Sequence, residues 1–373
     1  MPFEVQKVSC ATEKNRFILQ PWDIYKDHPH WVPPLIGERK KFLDPKKNPY
    51  FEHANVEYFI ALDSNKNPVG RIAAIIDRTH NEFHSERTGF FGLFESINNQ
   101  NVANLLFDAA REHLEGCGME QILGPMNLST NHECGLLIEG FDTPPMMGTP
   151  YNPPYYHQLF SEYGFVKSKD LLSFKLYPNT VPEYLTQAMN RIGKRNRFTV
   201  RTFRRDDFNK ELDILWDIYN SAWDRNWGFV PMTQKEFLFA AEDLKQVVQT
   251  EFCFIAEIAD EPIGFSLTLP DINVILKKLD GKLFPWGWLH FLWNKNRVNT
   301  YRTITLGVKK RYRRLGVDVA FYYETYKELV RRKSPCLEMS WILEDNKSIM
   351  EPIQRIGGTI YKRHRIYERK CNG

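Results

Sequence analysis

The sequence predicts two mixed α/β domains in tandem, and three observations predict it. Runs rich in Val, Ile, Phe and Tyr alternate with runs whose apolar residues recur every three to four positions, so strands and helices are interleaved along the chain. A Pro-[Val/Ile]-Gly turn joins two strand-like runs at Pro68-Val69-Gly70 and again at Pro262-Ile263-Gly264, an offset of 194 residues. The helix-ending glycines Gly164 and Gly357 lie 193 apart. Two landmarks with one offset, close to half of a 373-residue chain, indicate an internal duplication.

The expected division is 1–178 for the first domain, 179–196 for a connecting helix and 197–373 for the second domain. The first 55 residues hold a short strand, Phe3 to Val8, and helical or irregular pieces broken by Pro21, Pro29, Pro33-Pro34, Pro45 and Pro49. Their aromatics, among them Phe17, Trp22, Tyr25 and Trp31, are read as packing anchors. Val56–Leu62 and Val69–Ile76 form a hairpin, Thr88–Ser96 a third strand, Val102–Leu114 a helix and Gln121–Gly124 a further strand. A helix from Tyr155 stops at Gly164, and the strand Leu171–Leu176 follows. The second domain repeats this order: a strand at Phe198–Phe203, helices over Leu212–Trp223 and Lys235–Val248, and a hairpin of Phe252–Ile258 with Ile263–Leu269.

Composition narrows the function classes. Fifty basic residues against 46 acidic leave a net charge of +4, which does not suit a nucleic-acid binder. Basic residues cluster instead at Lys309–Arg314, Arg331–Lys333 and Lys362–Arg365. The six cysteines form no C-x-x-C pair and no Cys/His spacing of a zinc site, so a reduced, cytoplasmic chain without a metal is expected. No apolar run is long enough to span a bilayer. The protein is expected to be soluble or peripheral at a membrane.

The most informative stretch is Tyr301–Lys333. Thr303–Val308 is β-rich, Lys309–Leu315 is a basic turn, and Gly316 opens a helix carrying Val319, Ala320, Tyr322, Tyr323, Tyr326, Leu329 and Val330. A helix N-terminus presents unpaired N–H groups and a positive dipole end, and a glycine there lets a phosphate approach the backbone. Arg311, Arg313 and Arg314 add full charges. Neither a G-x-x-x-x-G-K-[ST] loop nor a G-x-G-x-x-G turn is present, so the usual nucleotide loops are excluded here.

The segment Leu306-Gly307-Val308 followed by Arg311 and Arg313-Arg314-Leu315-Gly316-Val317-Asp318 resembles the acyl-CoA loop of the GCN5-related N-acetyltransferase (GNAT) superfamily. There a strand runs into [RQ]-x-x-G-x-[GA] and a helix; Asp318 stands where Gly or Ala is usual. The remainder follows the same plan: the strand Cys336–Leu343, then Glu344-Asp345-Asn346, a short helix, Gly357-Gly358 and a final strand from Thr359. The resemblance implies CoA thioester binding by these residues, with Asn346 at or near the pantetheine. Asn346 equally fits a helix N-cap. The first domain has Ser96–Val102, without arginine or glycine, in place of the basic loop, so CoA is expected in the second domain alone.

The attacking amine needs a base, which in this superfamily is often a glutamate. His132-Glu133 is the acid/base pair of a long Gly/Pro-rich loop, Gly124–Pro154, and is expected to serve the acceptor from the first domain. Glu344 is the catalytic candidate at the strand end near the thioester, with Asp345 and His290 as further alternatives. The tyrosine that many members place four residues before the helix-ending glycine is Ile353 here and Phe160 in the first domain.

The insertion 271–299 is apolar and Trp-rich over 283–293 and flanked by Lys277-Lys278, Lys282, Lys295 and Arg297. It is a peripheral membrane element, a cover over a long acyl chain, or a core insertion. The whole chain further resembles bacterial tandem-GNAT proteins related to N-acyltransferases of ceramide synthesis, through Gly124-Pro125-Met126-Asn127, Glu139-Gly140-Phe141-Asp142, Tyr151-Asn152-Pro153-Pro154-Tyr155-Tyr156, Asn226-Trp227-Gly228-Phe229 and Trp341–Asn346. That resemblance implies acyl transfer from a fatty acyl-CoA thioester to a long-chain amine of sphingoid type; the broader expectation is an amine-bearing small-molecule or lipid acceptor. The alternatives are an aminoacyl-tRNA-dependent tandem-GNAT transferase and a non-catalytic CoA- or lipid-binding protein. Oligomeric state is not legible.

Overall fold

The computed structural model describes residues 3–371 except Asn196 and Arg225, so the expected end of the connecting helix, Asn196, lies outside the described residues. The chain forms two compact units. Unit 1 contains Met1–Leu171, Ile275–His290 and Lys362–Gly373, and unit 2 contains Leu172–Val274 and Phe291–Tyr361. The units therefore differ from the two linear halves of the sequence: one piece of the insertion and the last strand belong with the N-terminal region.

In chain order the elements up to residue 176 are β1 (Glu4–Lys7), α1 (Ala11–Ile24), α2 (Ile36–Phe42), β2 (Ala54–Leu62), β3 (Pro68–Asp77), α3 (Arg78–His84), β4 (Thr88–Ser96), α4 (Gln100–Gly116), β5 (Gln121–Gly124), β6 (Leu136–Glu139), α5 (Tyr156–Tyr163) and β7 (Val166–Leu176). They continue with α6 (Glu183–Arg195), β8 (Thr199–Thr202), α7 (Phe208–Ala222), α8 (Gln234–Leu244), β9 (Cys253–Ile258), β10 (Glu261–Pro270), α9 (Asn273–Leu279), α10 (Gly287–Asn294), β11 (Thr300–Val308), α11 (Val317–Arg331), β12 (Cys336–Leu343), α12 (Lys347–Arg355) and β13 (Thr359–Lys370).

Unit 1 is a sheet in the order β1-β2-β3-β4-β5 followed by the Lys362–Lys370 part of β13, with β6 also on β13. All its pairs are antiparallel except β4 with β5. One face of the sheet packs on α4 through Phe59, Ile72, Phe91 and Phe94 against Val102, Leu106, Phe107 and Ala110. The Asn99 side chain caps α4 by accepting from the Asn101 and Val102 N–H groups, as an Asn-rich turn should. The other side of β3 and β4 carries α1.

Helix α1 corrects one expectation, because it runs through Pro21 where the sequence predicted a break. A proline in a helix leaves the carbonyl four residues earlier without its N–H partner. That carbonyl belongs to Phe17, and Arg71 Nη1 donates to it at 2.8 Å. The guanidinium also lies over the Phe17 ring and 3.6 Å from Glu95. A buried cation thus completes the helix from outside.

The Ile275–His290 piece is anchored within unit 1 by the aromatic N-terminal segment. Trp22 Nε1 donates to Asp280, Ile36 N–H donates to the Gly281 carbonyl at 3.0 Å, and a Cβ on Gly281 would meet the Trp22 ring at 2.5 Å. Trp22 and Tyr25 pack in turn on Trp31.

Unit 2 is a sheet in the order β12-β11-β10-β9-β8, antiparallel except for the parallel pair β11/β12. Its core joins Tyr301, Leu337, Met339 and Ile342 of the sheet to Tyr322, Tyr326 and Leu329 of α11 and Leu185 of α6. The helix expected as a connector is therefore a packed part of unit 2. We expect Arg71→Met to destabilise the protein by about 3–5 kcal/mol, since it strands the Phe17 carbonyl and Glu95 inside unit 1. Adding Pro21→Ala, which restores a helical N–H, should recover part of that loss in urea unfolding.

Candidate functional site

Parallel strands β11 and β12 pair from Thr300↔Cys336 to Thr303↔Met339 and then stop. Both strands continue, β11 to Val308 and β12 to Leu343. The cause lies on the far side of β11: Thr268 pairs with Thr303 but Leu267 pairs with Thr305, so Ile304 is an extra residue that bends β11 away from β12. Among the described residues no backbone bond joins 304–308 to 340–343. Arg302 Nη2 donates to the Ser340 carbonyl and Arg313 Nε to the Val308 carbonyl at the two ends of the opening, and between them an extended, amide-bearing chain can be added as a strand.

The C-terminal ends of both strands lie at one edge because they run parallel. After β11 come a basic 3₁₀ turn, Lys310–Leu315, Gly316 at φ +83° and the start of α11. Positive φ is the reason for a glycine at this position. Leu306 and Val308 turn their side chains into the core beside Val317, leaving Gly307 on the opposite face. Trp223 lies over that glycine, where a Cβ would meet its ring at 2.2 Å. The sequence showed no reason to link Trp223 with Gly307.

The basic residues of the turn are not all turned to a ligand. Lys309 pairs with Asp217 and Lys310 with Asp224, each at 2.6 Å, and Arg311 pairs with Glu261, which also accepts from Tyr312 Oη. Arg313 donates to the Val308 and Ala222 carbonyls and so braces the loop. Arg314 is exposed and, among the described residues, has no ion-pair partner. Burial pushes the Asp318 carboxyl up, against hydrogen bonds from the Val319 and Asp318 N–H groups. A more protonated acid in the first helical turn repels a phosphate less than a carboxylate does.

At the end of β12, Glu344 is half-buried, and Asn346 precedes α12. The Asn346 side chain makes no capping bond; its Oδ1 accepts from Ser348 Oγ at 2.7 Å. Leu306–Asp318, Glu344 and Asn346 therefore gather at one sheet edge of unit 2.

Unit 1 has the same bulged strand with the opposite outcome. The β4/β5 pairing ends at Phe90↔Leu123, and β4 bulges between Gly92 and Glu95 opposite β3. The chain after β5 then closes the opening: Met126 N–H donates to the Phe91 carbonyl and Leu93 N–H to Asn127 Oδ1, both at 2.8 Å. A Cβ on Gly92 would lie 1.7 Å from the Met126 carbonyl oxygen. No extended ligand fits there.

His132 and Glu133 lie in the loop beyond this closure. His132 Nδ1 is 3.0 Å from Ser129 Oγ, and its ring meets Phe42 and Tyr50 edge-on. Burial pushes the Glu133 carboxyl up, but Arg39 at 2.9 Å and Asn127 at 3.1 Å outweigh it and hold it below the ordinary range. Its charge is thus met by Arg39 within unit 1.

A second charged cluster was not singled out from the sequence. Arg302 and Glu338 face each other across β11 and β12 at 3.2 Å, with Ser340 and Tyr361 bonded to the same carboxylate. The signal available was a lone Arg and a lone Glu in otherwise apolar strands, which only the register brings together.

No protein-family model matches the chain. Protein YghO of Escherichia coli K12 is 39% identical over 362 residues, covering 95% of this chain and 92% of that protein. Bacterial ceramide synthase of Caulobacter vibrioides is 35% identical over 387 residues, covering 99% of this chain and 100% of that protein. Among solved structures, a tandem GNAT protein from the clavulanic acid biosynthesis pathway superposes with a TM-score of 0.58 at 9% identity, covering 99% of both chains. A GCN5-related N-acetyltransferase from Sphaerobacter thermophilus gives 0.53 at 12% identity, covering 99% of this chain and 96% of the other. These structural likenesses are of fold, whereas the two relatives are similar in sequence along nearly their whole lengths. This chain has the tandem-GNAT fold and belongs to the family that includes protein YghO and bacterial ceramide synthase.

Proposed function

We propose that the protein is an acyl-CoA-dependent N-acyltransferase whose thioester site lies in unit 2. The observation that carries this is the open edge between Ile304–Val308 and Ser340–Leu343, leading to Gly316 and the start of α11. A pantetheine chain has two amides and suits an unpaired strand edge, and a pyrophosphate suits a glycine-opened helix N-terminus flanked by Arg314. Bound this way, acyl-CoA supplies an activated carbonyl. The chain's own part is to align that carbonyl in the opening and to shield it with Trp223. Closure of the equivalent opening by Met126 and Asn127 supports one donor site per chain.

For the acceptor, the relative named bacterial ceramide synthase supports a long-chain amine of sphingoid type, and hence a fatty acyl donor. The insertion fits such substrates. Phe284, Trp286 and Trp293 are each more than 70% exposed, and Trp288 and Leu292 are exposed as well. On α10 the positions of Trp288, Leu289, Leu292 and Trp293 lie on one half of the helix, Trp286 stands just before it, and none of the helix is buried. With Lys277, Lys278, Lys282 and Arg297 exposed on either side, this is the composition of an interfacial membrane element more than of an internal cover. Among the described residues no helix is long and apolar enough to cross a membrane.

Titration calorimetry with CoA should give one site per chain. Gly316→Val or Arg314→Glu should weaken it at least about tenfold, while Asn99→Asp, which keeps the α4 cap and adds a charge in unit 1, leaves it unchanged. Two sites, or full affinity in Gly316→Val, would rule the assignment out. In sedimentation with vesicles, binding should be stronger to phosphatidylglycerol-containing than to pure phosphatidylcholine membranes. Trp286→Ser with Trp293→Ser should lower it about tenfold without changing the melting temperature. Equal sedimentation of wild type and double variant would refute the membrane contact.

A further inference from the structure

Glu338 is fully buried on β12, and its carboxylate is held from three directions. Oε1 is 3.2 Å from Arg302 Nε and accepts from Ser340 Oγ at 2.5 Å; Oε2 accepts from Tyr361 Oη. Arg302 Nε also donates to Ser340 Oγ at 2.8 Å, and Arg302 Nη2 to the Ser340 carbonyl. Ser340 Oγ therefore receives one hydrogen bond from a cation and gives its own proton toward a carboxylate. One lone pair remains on the hydroxyl.

Position makes this more than a buried ion pair. Met339 is the last residue of β12 paired with β11, so Ser340 is the first residue past the point where the strands separate. Leu337, Met339 and Ile342 turn toward α11, which puts Glu338 and Ser340 on the other side of the sheet with Arg302. Gly307 and its Trp223 cover are on that side too. The hydroxyl sits at the inner end of the opening in which the donor site is proposed.

We propose that Ser340 is the catalytic residue that receives the proton of the attacking amine and passes its own to Glu338. This rests on the N-acyltransferase reading above. As the N–C(acyl) bond forms and the C–S bond breaks, one amine proton moves to Ser340 Oγ and the Ser340 proton moves to Glu338 Oε1. It returns by the same route, or through water, to the departing thiolate, so that amine and thioester become amide and free thiol. Glu338 acts through Ser340, and Arg302 and Tyr361 are positioning residues that fix the carboxylate. Burial and Glu338 push the Tyr361 phenol far above its ordinary range, so it remains a donor to Oε2. Other charged or titratable groups around the cluster are Cys336, whose thiol burial pushes up to about 11, with Lys175 and Asp271 acting on it.

The test uses full-length protein with palmitoyl-CoA as donor and sphinganine, dodecylamine and hydroxylamine as separate acceptors, with product read by mass spectrometry. Ser340→Ala should keep the melting temperature and CoA affinity of wild type but lose about a hundredfold in kcat. Its kcat should also rise about in proportion to hydroxide between pH 7 and 9, because the built-in proton acceptor is out of reach, whereas Ser340→Thr should recover most of the rate. Glu338→Gln should repeat the loss if it folds; where it does not, the serine pair decides. Normal kcat with an unchanged pH profile in Ser340→Ala overturns the relay and leaves the acyltransferase reading intact. Absence of acyl transfer by wild type to all three acceptors overturns both.

Discussion

A backbone N–H or C=O inside a protein must find a partner, and a sheet that parts must therefore fill the gap or offer it to a ligand. One extra residue in β11, Ile304, creates that obligation in unit 2. What surrounds the gap follows from it. Gly307 is bare so that Trp223 can lie against the strand, Arg313 ties the turn to the Val308 carbonyl, and Gly316 turns the chain into α11. The Arg302–Glu338 pair stands one rung before Thr303↔Met339, the last before the strands separate.

The two units show that the same backbone irregularity has two solutions. In unit 1 the chain itself satisfies Phe91 and Leu93 with Met126 and Asn127, and Gly92 permits their approach. In unit 2 Arg302 and Arg313 reach the Ser340 and Val308 carbonyls, but among the described residues no backbone bond crosses the opening. A duplicated fold has thus kept one copy open and sealed the other, and the sealing segment belongs to the Gly124–Asn127 stretch that is unusual in sequence.

Much of the fold was legible because helices and strands carry their periodicity locally. The hairpins, α4, α11 and the glycines ending α5 and α12 fall where spacing placed them. The glycine at the start of α11 was legible for the same reason. Properties fixed by distant partners were not. The bulge depends on register against β10, and the charges on Lys309, Lys310 and Arg311 are met by Asp217, Asp224 and Glu261. Glu133 looks like a free acid until Arg39, 94 residues earlier, is placed beside it. Pro21 looks like a break until Arg71 supplies the missing donor.

The last strand has a consequence for synthesis. Tyr367–Lys370 pair with Gly124–Gln121, and Arg363–Arg365 pair with β6, so the sheet that β1 opens is completed by β13. A ribosome releases the chain from its N-terminus, and domains usually fold as they emerge. Here β5 must wait with an unpaired edge while about 240 further residues are made, the interval from Gly124 to Tyr367. Exposed edges of this kind invite wrong partners. The nascent protein is thus most vulnerable in its oldest part, and loss of β13 would harm the N-terminal unit first.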